Sequence, residues 1–159
     1  IHTDDKKFMK IALAQAQKSL DEGGIPIGAC LVIDGQVVAE GHNQRVQKNN
    51  PILHAEMDCL AKAGRLKLND YLKSTLYTTL SPCPMCSGAA LLYKIPRIVM
   101  AENQTFVGAE DWLRTNGVEL INLNLPEAVN MMKCFVKACP QLWNEDICIC
   151  DTVVKTTEN

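Results

Sequence analysis

The sequence lacks a strong excess of charge of either sign. Its 159 residues include 16 lysines and arginines and 18 aspartates and glutamates, which gives a net charge of −2. A protein that binds nucleic acid or an anionic membrane through a broad electrostatic field usually carries a clear positive excess. The charge balance therefore argues against nucleic acid or a membrane as partner, although a local basic patch is compatible with it.

Long apolar runs are also missing. No stretch approaches the roughly 20 apolar residues of a membrane-spanning helix, and the start, IHTDDKKFMK, has no apolar segment of the kind that signal peptides contain. Eight cysteines are present, but a chain of this length can bury a core without disulfides. We therefore expect reduced thiols in an intracellular compartment, the cytoplasm, with the nucleus as a second location.

The spacing of apolar residues predicts one α/β domain over residues 1–159, with a polar tail from about 148. Two β-branched runs around Asp34-Gly35 predict a hairpin. Further strands are predicted at 74–80, 97–101 and 118–123, and helices at 5–20, 54–64, 84–93, 109–115, 126–138 and 140–146. Since helices separate the later strands, these should pair in parallel, which gives a three-layer α/β/α sandwich with a central mixed sheet of about five strands.

Two short motifs stand at the starts of predicted helices. His54-Ala55-Glu56 begins one helix, and Pro82-Cys83-Pro84-Met85-Cys86 begins another. Together they spell H-x-E followed by P-C-x-x-C, a signature of zinc deaminases. One imidazole and two thiolates are suitable zinc ligands, and three protein ligands leave the fourth tetrahedral position open for water. We therefore predict one Zn²⁺ per chain, bound by His54, Cys83 and Cys86.

Glu56 distinguishes a catalytic zinc site from a structural one. Its carboxylate, two residues after His54 on the first turn of a helix, can reach the open position without binding the metal. A carboxylate there can take a proton from water and return it to substrate nitrogens. Taken alone, the cysteine pair is equally compatible with a redox pair, a structural zinc site or ordinary helix packing, and a non-catalytic dimeric zinc-binding module stays as the alternative from another class.

From about residue 7 to residue 147 the chain resembles the yeast-type cytosine deaminases of the cytidine deaminase-like superfamily. The segments that carry the resemblance are EGGIPIGAC, GHNQR, LHAEMD, TLYTTLSPCPMC, IPRIVMAEN and PQLWNED. The resemblance implies a homodimer that hydrolyses the free base cytosine to uracil and ammonia in pyrimidine salvage. Guanine, a nucleoside or adenosine in tRNA are the alternative substrates for the same chemistry.

The resemblance also implies a set of substrate contacts. The Asn43 amide would hold the N1–H/O2 edge of the pyrimidine, and the Ala55 backbone N–H would also serve O2. The Ser81 carbonyl and the Asp146 carboxylate would receive the exocyclic amino group. Four apolar side chains would enclose the flat ring: Ile27, Leu80, Phe106 and Trp143. Taken alone, Asn43 is typical of a turn and Trp143 of a core.

Overall fold

A mixed sheet of five strands forms the centre of the protein, as a computed structural model shows for residues 2–150. The strands are β1 (Gly28–Ile33), β2 (Gln36–His42), β3 (Ser74–Thr78), β4 (Arg97–Met100) and β5 (Glu119–Asn122), in the order β2-β1-β3-β4-β5. Strand β1 is antiparallel to both β2 and β3, whereas β3, β4 and β5 are mutually parallel. The predicted mixed sheet is therefore confirmed.

Seven helices surround the sheet within the described residues. They are α1 (Asp5–Asp21), α2 (Ala55–Ala63), α3 (Leu68–Tyr71), α4 (Pro84–Leu92), α5 (Glu110–Thr115), α6 (Pro126–Ala138) and α7 (Pro140–Asp146). The sequence pattern did not predict α3, because four residues are too few to show a helical period. Among residues 2–150, no helix is long and apolar enough to cross a membrane.

Alternating residues of each strand enter two separate cores. In β1, Ala29 and Leu31 belong to a core that also contains residues of α2 to α7, while Cys30 and Val32 belong to a core with residues of α1 and the start of α6. This alternation is the period of two that a strand imposes on its side chains. Because both faces are covered by helices, the predicted three-layer sandwich is confirmed. Residues 151–159, most of the predicted polar tail, lie outside the described residues, so the extent of the domain over 1–159 stays a prediction.

The hairpin of β1 and β2 turns at Asp34 and Gly35, whose φ angles are 48° and 72°. Positive φ at both positions is what a two-residue type I′ turn requires. The far end of β2 lies directly against α2. The approach is so close that a side-chain carbon at Gly41 would collide with the Cys59 backbone. This close approach brings the residues after β2 next to the first turn of α2.

A buried ion pair joins the start of α1 to the middle of the sheet. The Arg97 guanidinium donates to both Asp5 carboxylate oxygens, at 2.8 and 2.7 Å, and the Tyr77 hydroxyl donates to Asp5 Oδ1 at 2.8 Å. Although burial alone would raise the pKa of Asp5, these hydrogen bonds hold it well below its usual range. The pair lies apart from the cavity described below, and the lowered pKa means that ionised Asp5 stabilises the folded chain.

Candidate active site

The first turns of α2 and α4 meet at one end of the sheet. His54 is the residue before α2 and Cys83 the residue before α4, so both occupy N-cap positions. The Cys83 sulfur accepts the Cys86 backbone N–H at 3.4 Å and lies 3.5 Å from His54 Nδ1. Helix N-termini carry partial positive charge, which favours thiolate over thiol. The arrangement therefore collects anionic sulfur around an imidazole.

One donor atom each from His54, Cys83 and Cys86 lies within 4.8 Å of the others. An imidazole nitrogen and two sulfurs so close together are the donor set of a tetrahedral zinc site, and three protein ligands are the number found in catalytic zinc centres. The second ring nitrogen of His54, Nε2, lies 3.4 Å from Asp146 Oδ1. A carboxylate on the outer nitrogen fixes the ring orientation of a metal-binding histidine. The residues present therefore fit a zinc ion.

Hydrogen bonds within the cluster control its protonation in the metal-free chain. The side-chain hydrogen bond with Cys86 lowers the pKa of Cys83 to about 4 against the effect of burial, and the bonds with His54 and with the Cys86 backbone N–H add to this lowering. The same bond and burial raise the pKa of Cys86 well above its usual range. Burial lowers the pKa of His54, but the bond to Cys83 and the charge of Asp146 raise it to about 9. Since zinc binds neutral imidazole and thiolate, zinc and protons compete for these three side chains.

The Glu56 carboxylate reaches the cavity from the first turn of α2 and is only 4% exposed. Its Oε1 accepts the Thr78 hydroxyl at 2.6 Å, and its Oε2 accepts the Cys86 thiol at 3.2 Å. Burial raises the pKa of this carboxyl group. A buried carboxylate beside the donor set has the position that a proton carrier needs.

A cavity of about 310 Å³ opens beside the donor set. It is lined by eleven of the twelve side chains that the sequence singled out: Ile27, Asn43, His54, Ala55, Glu56, Leu80, Ser81, Cys83, Phe106, Trp143 and Asp146. The twelfth, Cys86, lies behind Glu56. Phe106 and Trp143 meet edge to face, with ring centroids 6.1 Å apart. The fold brings the predicted residues together, while their roles toward a ligand stay predictions.

Asn43 is fully buried and fixed by four hydrogen bonds. Its backbone N–H donates to Ile27 at 2.9 Å, and its carbonyl accepts the Ser19 hydroxyl at 2.7 Å. Its side-chain oxygen accepts the Arg45 N–H at 3.0 Å, and its side-chain nitrogen donates to Asp146 at 3.2 Å. A primary amide has two donor hydrogens and two acceptor lone pairs. Each end of the Asn43 amide therefore keeps one hydrogen-bonding position for a ligand.

The structure adds residues that the sequence analysis missed. Arg45 and Cys148 also line the cavity, and Thr78 holds Glu56. Arg45 stands within the GHNQR segment, so its place beside Asn43 was a usable signal. Thr78 closes β3 beside another threonine, and nothing in the pattern separates the two. The contact between Asp146 and His54 joins residues far apart in sequence, which no local pattern predicts.

Comparisons with known proteins agree with this geometry. Residues 2–102 match the family described as the cytidine and deoxycytidylate deaminase zinc-binding region. The chain is similar to cytosine deaminase of Candida albicans, with 54% identity over 145 residues that cover 91% of this chain and 97% of the relative. It is also similar to a tRNA-specific adenosine deaminase of Streptococcus pyogenes, with 45% identity over 105 residues, 65% of this chain and 66% of the relative.

A solved structure from studies of A-to-I editing by tRNA:A34 deaminases superposes with a TM-score of 0.69 at 27% identity, covering 79% of this chain and 99% of that one. The fold is therefore shared with that structure, and the family match, which is to a zinc-binding region, includes the residues of the donor set.

The donor set predicts the metal content of single-cysteine variants. Purified protein should contain about one zinc per chain, and Cys83→Ala should lose most of it because two ligands hold zinc far less tightly than three. Cys134→Ala is the matched control, since Cys134 is exposed on α6. Elemental analysis by mass spectrometry measures both. Full zinc occupancy in Cys83→Ala would remove this residue from the ligand set.

Proposed function

The chain belongs to the cytidine and deoxycytidylate deaminase family with its zinc-binding region, and on this premise we propose that it converts free cytosine and water into uracil and ammonia. The 54% identity to a cytosine deaminase, over 97% of that relative, supports the substrate. The observation that carries the proposal is the Asn43 amide, which offers one acceptor and one donor position beside Glu56. This pair matches the N1–H and O2 of a base without a sugar.

His54, Cys83 and Cys86 would hold the zinc ion of this mechanism. When bound, zinc acts as a Lewis acid and lowers the pKa of a bound water to about 7. With Cys86 ionised as a ligand, Oε2 of Glu56 is released from the thiol proton, while Thr78 still holds Oε1. Oε2 is therefore the atom that takes the proton from the attacking water and delivers it to N3 of the base. The water oxygen forms a bond to C4, and a second proton from that oxygen passes through Glu56 to the amino group, so that the C4–N bond breaks and ammonia leaves.

The remaining polar contacts orient the base. Ala55 is the first residue of α2, and a backbone N–H at that position has no acceptor within its helix. It can therefore donate to O2 together with Asn43. We assign the amino group to the Ser81 carbonyl and the Asp146 carboxylate, which line the same cavity. Asp146 also contacts His54, so that one carboxylate links the metal ligand to the leaving-group side.

Four apolar side chains supply the walls for a flat ring. Ile27, Leu80 and Trp143 are almost fully buried, and Phe106 packs edge-on against Trp143. A pocket of this kind places a pyrimidine between apolar surfaces and excludes water from the reacting carbon. Exclusion of water strengthens the hydrogen bonds of Asn43 and Glu56 with the base.

Release of uracil from cytosine places the activity in pyrimidine salvage, in which a free base is recovered for nucleotide synthesis. We assign it to the cytoplasm, with the nucleus as a second location. The thiol chemistry supports this assignment: all eight cysteines are free, and three of them are buried. Unpaired cysteines are typical of reducing compartments.

We further propose that a second copy of the chain covers an apolar face on α3, α4 and α5. Exposed apolar side chains gather there: Leu68, Leu72, Leu92, Tyr93 and Trp112. Tyr93 stacks on Tyr71 of α3 at 4.9 Å, and the Trp112 ring lies beside Gly88 of α4, so the three helices form one continuous face. Exposed apolar patches of this extent mark protein interfaces.

Glu56→Gln should retain zinc and lose nearly all turnover. The amide keeps the oxygen that accepts the Thr78 hydroxyl, but it cannot carry a proton. Since general acid–base catalysis supplies about 10²–10⁴-fold, kcat for cytosine should fall by at least about 10²-fold. Glu40→Gln, an exposed carboxylate on β2, is the control and should be near normal. Appreciable activity in Glu56→Gln would contradict the proton-carrying role.

Cytosine should be a far better substrate than cytidine. A ribose at N1 removes the hydrogen that donates to Asn43 and adds bulk where this side chain lies. A site built around a substrate N–H rejects an analogue that lacks it by roughly 10⁴-fold. Asn43→Ala should therefore cut kcat/KM for cytosine sharply without improving cytidine, whereas Asn116→Ala at the end of α5 should have no effect.

The measurement is ammonia release from each compound by one preparation. Guanine and an adenosine-containing tRNA stem-loop belong in the same series, because relatives of this chain include tRNA-specific adenosine deaminases. A kcat/KM for cytidine, guanine or the stem-loop equal to or above that for cytosine would overturn the free-base assignment. It would leave the zinc and Glu56 chemistry intact.

The apolar face predicts the oligomeric state. Wild-type protein should have twice the 17.6 kDa mass of one chain in sedimentation experiments. Leu92→Glu should shift the protein toward monomer, because Leu92 is 70% exposed at the end of α4 and a charge there would be buried at the interface. Val38→Glu, at an equally apolar exposed position on β2, is the control. A monomeric wild type, or the same shift in both variants, would contradict the interface.

A further inference from the structure

Asp58 is a buried carboxylate on α2 outside the set assigned to metal or substrate. It is 4% exposed and accepts hydrogen bonds from three donors. Its Oδ2 accepts the His42 backbone N–H at 3.0 Å and the Lys62 ammonium at 2.8 Å, while its Oδ1 accepts the Gln44 side-chain amide at 2.8 Å. A carboxylate with three good donors is strongly localised.

Two of these donors bracket Asn43 in the sequence. The Asp58 carboxylate accepts the backbone N–H of His42, the residue before Asn43, and the side-chain amide of Gln44, the residue after it. The Asp58 backbone N–H donates to the His54 carbonyl at 2.9 Å, so Asp58 lies one helical turn beyond His54 and two residues after Glu56 on the same helix. One side chain thus joins the segment that carries Asn43 to the helix that carries the zinc and proton chemistry.

Close packing alone does not fix the position of the Asn43 segment relative to α2. The Gly41 backbone touches α2 near Cys59, which sets the separation between β2 and the helix. Sliding along the helix axis would preserve that separation yet move Asn43 relative to Glu56. The paired hydrogen bonds to Asp58 oppose such sliding, because they are directional and reach both sides of Asn43.

We propose that Asp58 is a positioning residue that sets the distance between Asn43 and the Glu56–zinc centre. The inference rests on the proposed function to the extent that Asn43 binds the base. Its chemical basis is that a carboxylate only accepts hydrogen bonds, whereas an amide must direct its own N–H groups toward a donor. Since a misplacement of about 1 Å can cost roughly 10²-fold in rate, weaker hydrogen bonds to Asp58 lower activity without removing a catalytic group.

The test is Asp58→Asn, with two matched controls. Lys62→Met removes the third donor, which is half exposed and does not reach the Asn43 segment. Asp5→Asn makes the same change at another buried carboxylate, the partner of Arg97, which is remote from the cavity. It therefore measures what general destabilisation does to activity. Gln44→Ala removes one of the hydrogen bonds and keeps the Asp58 carboxylate, so it supplies the test should Asp58→Asn fail to fold.

Asp58→Asn should keep its zinc and lose about tenfold or more in kcat/KM, and Gln44→Ala should show a smaller loss in the same direction. Lys62→Met and Asp5→Asn should stay within about threefold of wild type. If Asp58 acts through Asn43, then Asp58→Asn in an Asn43→Ala background should cost less than about threefold, because the two effects are coupled. Hydrogen exchange of residues 41–47 should accelerate in Asp58→Asn and not in Asp5→Asn.

Equal losses from Asp58→Asn with and without Asn43 would overturn the proposal, as would an Asp5→Asn enzyme impaired to the same degree. Unchanged exchange in residues 41–47 would also overturn it. The proposed function is tested separately by the wild type. If that protein deaminates another amino base, the same ratios are measured with that base. If it deaminates none, the exchange comparison still decides whether Asp58 holds the Asn43 segment.

Discussion

The meeting of two helix N-termini is the constraint on which the site depends. The first turns of α2 and α4 face each other at the contact between His54 and Cys83, and each carries roughly half a positive charge from its backbone. Such ends repel each other unless negative charge lies between them. The Cys83 thiolate and Glu56 supply that charge, with Asp146 on the far side of His54. Both zinc binding and the stability of the fold therefore require negatively charged side chains at these positions.

Asn43 is held rigidly because the buried polar groups of the cavity must be paired. Two hydrogen bonds hold the backbone of Asn43 and two hold its side-chain amide, and Thr78 fixes one oxygen of Glu56. Groups held in this way need no reorganisation when a base enters. The same pairing makes the cavity selective, since a ligand that does not complete the remaining positions leaves them buried and unsatisfied.

The sequence predicted those parts of the structure that local pattern encodes. The alternating strands, the longer helices and the mixed sheet were confirmed, because burial on two faces imposes clear periods on each segment. Helix α3 was missed for want of length. The cysteine and histidine motifs were readable because each stands at a helix start. Three sets of contacts could not be predicted, because each depends on how separate segments dock. They are the hydrogen bond from Thr78 to Glu56, the contact of Asp146 with His54 and the hydrogen bonds to Asp58.

The division of the chain into a chemical part and a selective part explains why the zinc chemistry was easier to infer than the substrate. The family match ends at residue 102, and it contains the donor set of His54, Cys83 and Cys86 as well as Glu56 and Asn43. Phe106, Trp143 and Asp146 come from the remaining third and close the cavity over that centre. A change in this third can reshape the walls while the donor set and the two helix starts stay as they are. On the proposed function, substrate choice therefore depends on Asn43 together with the docking of α7, and the buried carboxylate of Asp146 joins the two through its contacts with His54 and Asn43.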